Sequence, residues 1–91
     1  MTNKSYHVEF TKNARKQLKK MDKFISQMLY SWVMDTLEGC NDPRSIGKPL
    51  VENRKDQWRY RVGDYRILVV IEDEVVTIHI VEVGHRKDVY N

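Results

Sequence analysis

The residues on either side of Gly63-Asp64 constrain the fold of this chain most strongly. Residues 57–62 alternate polar and apolar side chains, which is the period of a half-buried strand. Residues 65–72 form a second segment, rich in isoleucine and valine, that is typical of a strand. A glycine at the first of two connecting positions suits a tight hairpin turn. Together these features predict an antiparallel hairpin in which Val62 lies opposite Tyr65.

The predicted register sorts the side chains of the hairpin onto two faces. Alternate residues of a strand point to opposite sides, and cross-strand partners share a side. The face predicted to be buried consists of Trp58, Tyr60, Val62, Tyr65, Ile67, Val69 and Ile71. The other face gathers Arg59, Arg61 and Arg66, with Leu68 opposite Arg59. A shift of one residue in the pairing would exchange the two faces.

The arginine face is costly for folding, because like charges on opposed strands repel each other. Guanidinium groups present fixed donors suited to phosphate oxygens, so an anionic partner would relieve the repulsion. The pattern leaves two interpretations open: an anion-binding surface, or a solvated sheet face screened by salt. The net charge of the chain is only +3. However, residues 44–66 hold seven Lys or Arg against three acids, whereas residues 72–82 hold four acids and no Lys or Arg.

Upstream of the hairpin, the sequence predicts one strand and two helices. Residues 6–10 alternate apolar and polar side chains and predict the strand. Thr11 can cap a first helix through its hydroxyl, and Asp22 can cap a second. Apolar residues continue at helical spacing from Asp22 to Leu37. Gly39 suits the end of the second helix, because glycine tolerates positive φ.

The remaining segments complete the predicted fold. Residues 41–53 contain two prolines and a glycine and predict a loop. A turn at residues 72–74 leads into a last strand at 75–83. The predicted order is β-α-α-β-β-β, an α+β fold in which a two-helix hairpin packs on one face of a largely antiparallel sheet. We expect residues 1–91 to form a single domain, which suits a chain of this length.

Composition narrows the class of protein. Hydrophobic residues make up 41% and charged residues 32%, as in an ordinary globular domain. The apolar runs are far shorter than the roughly 20 residues that a membrane helix needs, so we expect no membrane association. A single cysteine, Cys40, cannot form an internal disulfide, and the N-terminus has no apolar stretch typical of a secretory signal. A cytoplasmic location follows as the expectation.

Cofactor chemistry has little support in the sequence. His7, His79 and His85 lack the spacing of a metal site, and no phosphate-binding glycine motif is present. We expect His7 to be an exposed strand residue and His79 to be structural. Cys40 has no evident base beside it, which argues against a thiol nucleophile. Neither a metal nor a cofactor is therefore predicted.

The C-terminal tail brings together three groups with useful chemistry. His85 can exchange protons near neutral pH, because the ordinary pKa of histidine is near 6.5. Arg86 can stabilise charge that develops on a phosphate. Tyr90 can orient a hydroxyl, stack on a base or transfer a proton. The alternative is a polar tail without a function.

The order of these segments resembles the RelE branch of the RelE/ParE toxin superfamily. The resemblance rests on residues 47–50 and 58–67, on the hydrophobic hairpin, and on residues 83–90. It implies a toxin that enters the ribosomal A site and cuts the bound mRNA, with the 2′-hydroxyl attacking the adjacent phosphate. By position, Arg59 and Arg61 match the two basic residues of the first hairpin strand. Arg66 matches the arginine after the hairpin's aromatic residue, Arg86 the arginine after the last strand, and Tyr90 the tyrosine near the C-terminus.

The resemblance also implies partners. These are mRNA, the ribosomal RNA of the A site, and a cognate antitoxin protein encoded alongside. The basic residues of the first helix would then face ribosomal RNA phosphates; they are Lys12, Arg15, Lys16, Lys19 and Lys20. The alternative for this helix is that its charges serve only to keep it solvated.

This chain departs from some relatives at Arg59 and Arg61, where those proteins carry lysine. Arginine is much harder to deprotonate, so these two residues are interpreted as phosphate clamps. The hypothesis is that His85 or Tyr90 handles protons, while the transition state is stabilised by Arg61, Arg66 and Arg86. Two rival functions remain open: a ParE-like toxin that poisons DNA gyrase, and a nucleic-acid-binding module without catalysis.

Overall fold

The computed structural model describes residues 4–85, which form two helices and a five-stranded sheet. The elements in chain order are β1 (His7–Phe10), α1 (Lys12–Lys20), α2 (Lys23–Thr36), β2 (Lys48–Pro49), β3 (Gln57–Val62), β4 (Tyr65–Glu72), a 3₁₀ turn (Asp73–Val75) and β5 (Thr77–His85). The strand order across the sheet is β1-β5-β4-β3-β2. β1 and β5 are parallel, and every other pair is antiparallel. The predicted α+β class is confirmed.

Both helices begin at the predicted capping residues. The Thr11 hydroxyl accepts a hydrogen bond from the Ala14 amide, and it donates one to the carbonyl of Ile80 at 2.8 Å. The Asp22 carboxylate accepts hydrogen bonds from the amides of two residues in the first turn of α2. After α2, Gly39 adopts a φ of +81°, which allows the chain to turn towards β1.

The hairpin register agrees with the prediction at every position. Val62 pairs with Tyr65, Arg61 with Arg66 and Arg59 with Leu68. The core lies between the helices and the predicted apolar face of the sheet. Its buried members are Tyr6, Ala14, Leu29, Val33, Leu37, Tyr60, Ile67, Val69, Ile71, Ile78, Ile80 and Val83.

The bounds of three predicted segments are wrong. The segment 41–53 is not all loop, because Lys48 and Pro49 pair with β3 as a two-residue edge strand. Such a strand is too short to show a period, and proline is tolerated there because an edge strand leaves one side unpaired. The last strand begins at Thr77, after the 3₁₀ turn, and continues to His85. Strand β1 begins at His7, one residue later than predicted.

A polar cluster fastens the long connection between α2 and β3. The Arg44 guanidinium donates to both carboxylate oxygens of Asp73 at 3.0 Å, and its Nε donates to the Lys55 carbonyl at 2.8 Å. The Tyr6 hydroxyl donates to the same carboxylate at 2.7 Å. The cluster therefore ties the connection both to the start of β1 and to the turn before β5. No helix in the described part of the chain is long and apolar enough to cross a membrane.

Candidate nucleic-acid site

A cleft of about 330 Å³ opens at the edge of β3, where β2 ends. One part of its lining is cationic and consists of Lys48, Arg59, Arg61 and Arg66. The other part is aromatic and apolar and consists of Trp32, Ile46, Gly47 and Tyr60. None of the described residues that line this cationic cleft is acidic. These eight residues form the cationic cleft.

Strand register explains why the four cations meet. Arg61 lies directly opposite Arg66, and Lys48 lies directly opposite Arg59. Cross-strand partners share a face, and residues two apart on β3 also share it. Three strands therefore present positive charge on the side of the sheet that faces away from the helices. The predicted gathering of Arg59, Arg61 and Arg66 is confirmed.

The wall of the cleft beside β2 depends on close packing of the loop. Gly47 adopts a φ of +79°, and a Cβ placed there would lie 2.4 Å from the Arg59 carbonyl oxygen. On the core side, Trp58 Nε1 donates to the Ile46 carbonyl at 2.7 Å, and the Tyr60 hydroxyl donates to the Pro43 carbonyl. Burial raises the pKa of Tyr60, so this phenol remains a neutral donor. These contacts hold residues 43–47 against β3.

The aromatic wall of the cleft consists of Trp32 from helix α2 and Ile46 from the loop before β2. Trp32 packs against Tyr60 with ring centroids 5.7 Å apart and ring planes inclined at 51°. Tyr60 is almost wholly buried, Trp32 is partly exposed, and Ile46 is 42% exposed. The cleft therefore presents charged donors on one side and an accessible apolar surface on the other.

His85 lies outside the cationic cleft. Gly84 is the partner of Arg66, so His85, the next residue along β5, pairs with Tyr65 and points to the helix side of the sheet. The two rings meet edge to face at 5.4 Å and border a second hollow together with Lys20 of α1. His85 therefore lies on the other side of the sheet from Arg66, and its role in proton transfer stays a prediction. Arg86 and Tyr90 lie outside the part of the chain that the structure describes, and their site roles stay predictions.

The cations of α1 form a separate surface. All five lie at least partly in solvent; they are Lys12, Arg15, Lys16, Lys19 and Lys20. Arg15 and Lys19 border a groove whose apolar surface includes Phe10 and Tyr30, which stack at 5.4 Å. None of the five lines the cationic cleft. An RNA contact by this helix would therefore be made with a different part of the partner.

His7 and His79 each contact a nearby carboxylate, and Cys40 is disfavoured as a nucleophile. His7 is exposed, as predicted, and contacts the carboxylate of Glu38, while His79 contacts Glu72. Burial raises the pKa of the Cys40 thiol, which disfavours the nucleophilic thiolate. Within residues 4–85, no cluster of His, Cys, Asp and Glu is arranged to hold a metal ion.

Half of the residues that line the cationic cleft could not be predicted as site residues from the sequence. Lys48 falls in a segment predicted to be a loop, so its register with Arg59 has no signal in the pattern. Trp32 is one member of the apolar stripe of α2, and Ile46 carries no signal of its own. The glycine and proline on either side of Lys48 are the local indication of a tight approach to a neighbouring strand.

Comparison with known proteins gives a consistent family. The family model described as the ParE toxin of the type II toxin–antitoxin system parDE matches residues 8–90. Toxin RelG of Mycobacterium tuberculosis is 35% identical over 85 residues, covering 93% of this chain and 95% of RelG. Toxin RelE of the same organism is 29% identical over 85 residues, covering 93% of this chain and 86% of that toxin.

Solved structures show the same fold. The RelBE2 toxin–antitoxin complex of M. tuberculosis contains a chain that matches with a TM-score of 0.77 and 34% identity, covering 90% of this chain and 92% of that one. The isolated RelE toxin of Escherichia coli matches with a TM-score of 0.70 at 21% identity, covering 89% and 84%. The second match bears on the fold alone.

Fold and comparisons together define a toxin of a type II toxin–antitoxin system. Within that class, the chain belongs to the RelE family of the RelE/ParE superfamily. The resemblance predicted from the hairpin and its flanking segments is confirmed.

Proposed function

We propose that this toxin is an endoribonuclease that cuts mRNA in the ribosomal A site and so inhibits translation. The observation that carries the proposal is the cationic cleft, in which four cationic side chains from three neighbouring strands line one opening. A phosphodiester offers the charge and the oxygen geometry that such a set of donors would bind.

The proposed reaction is an internal transfer at phosphorus. The ribose 2′-oxygen loses its proton and bonds to the adjacent phosphorus, while the bond from phosphorus to the 5′-oxygen breaks and that oxygen takes up a proton. The products are a 2′,3′-cyclic phosphate and a free 5′-hydroxyl. Arg61 and Arg66 would stabilise the charge on the five-coordinate phosphorus, because fixed donors aimed at developing charge lower the barrier. Arg59 would hold a neighbouring phosphate.

Proton transfer needs groups other than the arginines of the cleft, since a guanidinium is effectively always protonated. His85 or Tyr90 would fill this role, and Arg86 would add charge stabilisation. His85 lies on β5, one strand beyond Arg66, and on the other side of the sheet. Proton transfer by His85 would therefore require its imidazole to reach the scissile phosphate in the ribosome-bound toxin.

The partners follow from the proposed activity. The cations of α1 would contact ribosomal RNA, and the toxin would act in the cytoplasm where ribosomes are. Related RelE chains have been solved as complexes with RelB antitoxins. We infer a cognate antitoxin of this kind for the present chain.

The test uses purified toxin and ribosomes programmed with a defined mRNA, with the cut ends mapped. Arg61→Ala and Arg66→Ala should each lower the cleavage rate by at least about 100-fold, the scale of losing one transition-state donor. Arg54→Ala is the matched control, because this exposed arginine pairs with Asp56 outside the cleft. Equal cleavage by wild type and both cleft variants would remove these arginines from the mechanism.

Inhibition of DNA gyrase is the second candidate function, and the match to the ParE family model favours retaining it. A supercoiling assay with the same protein separates the two. Loss of gyrase activity with intact mRNA on programmed ribosomes would replace the ribonuclease proposal. Salt-sensitive RNA binding without either effect would identify a non-catalytic binding module.

A further inference from the structure

We propose that the aromatic wall of the cationic cleft, formed by Trp32 and Ile46, is a nucleobase pocket for a purine next to the phosphate held by the arginines. This inference rests on the proposed function, since it takes the ligand of the cleft to be RNA. It assigns a base-selecting role to two residues outside the set of cations.

The aromatic wall lies beside a part of the sheet edge that has no neighbouring strand among residues 4–85. Strand β2 ends after two residues, so the edge of β3 beyond Arg59 is not covered by a neighbouring strand. At this edge, the cations of the open sheet face and Trp32 of the helix layer border one continuous cleft. A nucleotide whose phosphate lies on the cations can therefore direct its base towards Trp32.

The edge of the cleft next to the wall is kept open by a glycine and by a fixed loop. Gly47 lies between the two parts of the cleft and contributes no side chain. The loop that carries Ile46 is fixed from behind, because Trp58 Nε1 donates to the Ile46 carbonyl. Ile46 lines the cleft and is 42% exposed, although large aliphatic residues are usually buried. The wall is thus held in place and accessible before any ligand arrives.

The chemistry of the wall suits a nucleobase. An indole ring offers a flat apolar surface on which a base can stack, and such stacking contributes substantially to RNA binding. Packing against Tyr60 holds the indole in place. A purine covers more of the wall than a pyrimidine does.

The experiment measures binding of two short RNA strands to the isolated toxin. One strand carries guanine at a central position, and the other carries an abasic ribose there with the same phosphates. We expect wild type to bind the guanine strand about tenfold more tightly, as base–aromatic stacking predicts. Trp32→Ala and Ile46→Ala should reduce this ratio towards one. Phe24→Ala should preserve it, because this exposed aromatic residue of α2 lies outside the cleft.

Two comparisons keep the test decisive. Ile46→Ala changes an exposed side chain and keeps the backbone carbonyl, so it tests the pocket even if Trp32→Ala fails to fold. Arg61→Ala should weaken binding of both strands alike. A ratio near one in wild type, or a ratio unchanged by Ile46→Ala, would overturn the pocket while leaving the arginine site intact. A large ratio in a protein that fails to cut mRNA would support the pocket and refute the ribonuclease proposal.

Discussion

At Gly47 the loop passes so close to β3 that a side chain has no room. A Cβ would lie 2.4 Å from the Arg59 carbonyl oxygen and 2.8 Å from Trp58 Nε1, and the φ of +79° is strained for any other residue. The loop wall of the cationic cleft therefore depends on this one glycine. Its neighbours Ile46 and Lys48 reach the cleft only because the backbone between them can approach the strand.

Replacing Gly47 with alanine should destabilise the protein by at least about 2 kcal/mol, because strain in φ adds to a backbone clash. Gly63→Ala is the matched control, since Gly63 also has positive φ but a Cβ at that position would meet nothing within 4 Å. That variant should lose only about 1 kcal/mol. Urea unfolding measures both. Equal losses would show that the close approach of Gly47 does not matter.

Asp73 gives the fold an acid-sensitive contact. The hydrogen bonds from the Arg44 guanidinium hold the pKa of this carboxyl below its ordinary value of 3.8. A lowered folded-state pKa adds stability that is complete above the unfolded pKa and is lost as the pH falls through the folded pKa. Stability should therefore decline as the pH drops below 3.8.

Asp73→Asn should flatten this acid-dependent decline when free energies of unfolding are compared between neutral pH and pH values below 3.8. At neutral pH the cost should be about 1 kcal/mol or less, because the Asp73 side chain is 48% exposed and solvent screens the pair. Asp35→Asn, at an exposed position of α2, is the control. An unchanged pH profile for Asp73→Asn would assign the acid sensitivity to other groups.

Helix α1 is joined to the sheet by polar side chains as well as by packing. The Thr11 hydroxyl caps the helix and bonds to the Ile80 carbonyl, Asn13 donates to the Val81 carbonyl, and the Gln17 side-chain oxygen accepts from the Val83 amide at 2.7 Å. These contacts cover the edge of β5 beyond the point where β1 ends. The helix thus takes the place of a neighbouring strand along this part of β5.

Thr11→Ala should lower the free energy of unfolding by about 1–2 kcal/mol, since it removes both a cap and a bond to the sheet. Thr11→Ser retains the hydroxyl and should recover most of the loss. Asp22→Ala removes a cap without a sheet contact and should cost about 1 kcal/mol. Chemical denaturation compares the three variants. A smaller loss for Thr11→Ala than for Asp22→Ala would contradict the dual role.

Elements with a strong local pattern could be predicted from the sequence, and elements defined by their neighbours could not. The hairpin register follows from alternation and a two-residue turn, so the three arginines lie where the pattern predicts. Strand β2 exists only because β3 pairs with it. The start of β5 depends on Val76, which adopts a positive φ of 50° that its β-branched side chain gives no reason to expect.

On the scale of the whole molecule, the fold places positive and negative charges in different regions, although the net charge of the chain is only +3. The cationic cleft lies towards the Gly63-Asp64 end of β4, and the acidic turn at Asp73 and Glu74 lies at the opposite end of the same strand. Such a separation orients an approaching polyanion before contact. The charge imbalance could be predicted from composition along the chain. The meeting of Trp32 with the arginines could not, because it depends on how α2 packs on the sheet.

The central claim is that the cleft positions an RNA phosphate for attack by the neighbouring 2′-hydroxyl. The most direct test is cleavage of an mRNA on programmed ribosomes with one 2′-deoxy nucleotide immediately 5′ of the mapped cut. The account predicts that this single change abolishes the cut at that site, while the unmodified mRNA yields a 2′,3′-cyclic phosphate end. Undiminished cleavage of the deoxy mRNA at the same position would contradict it.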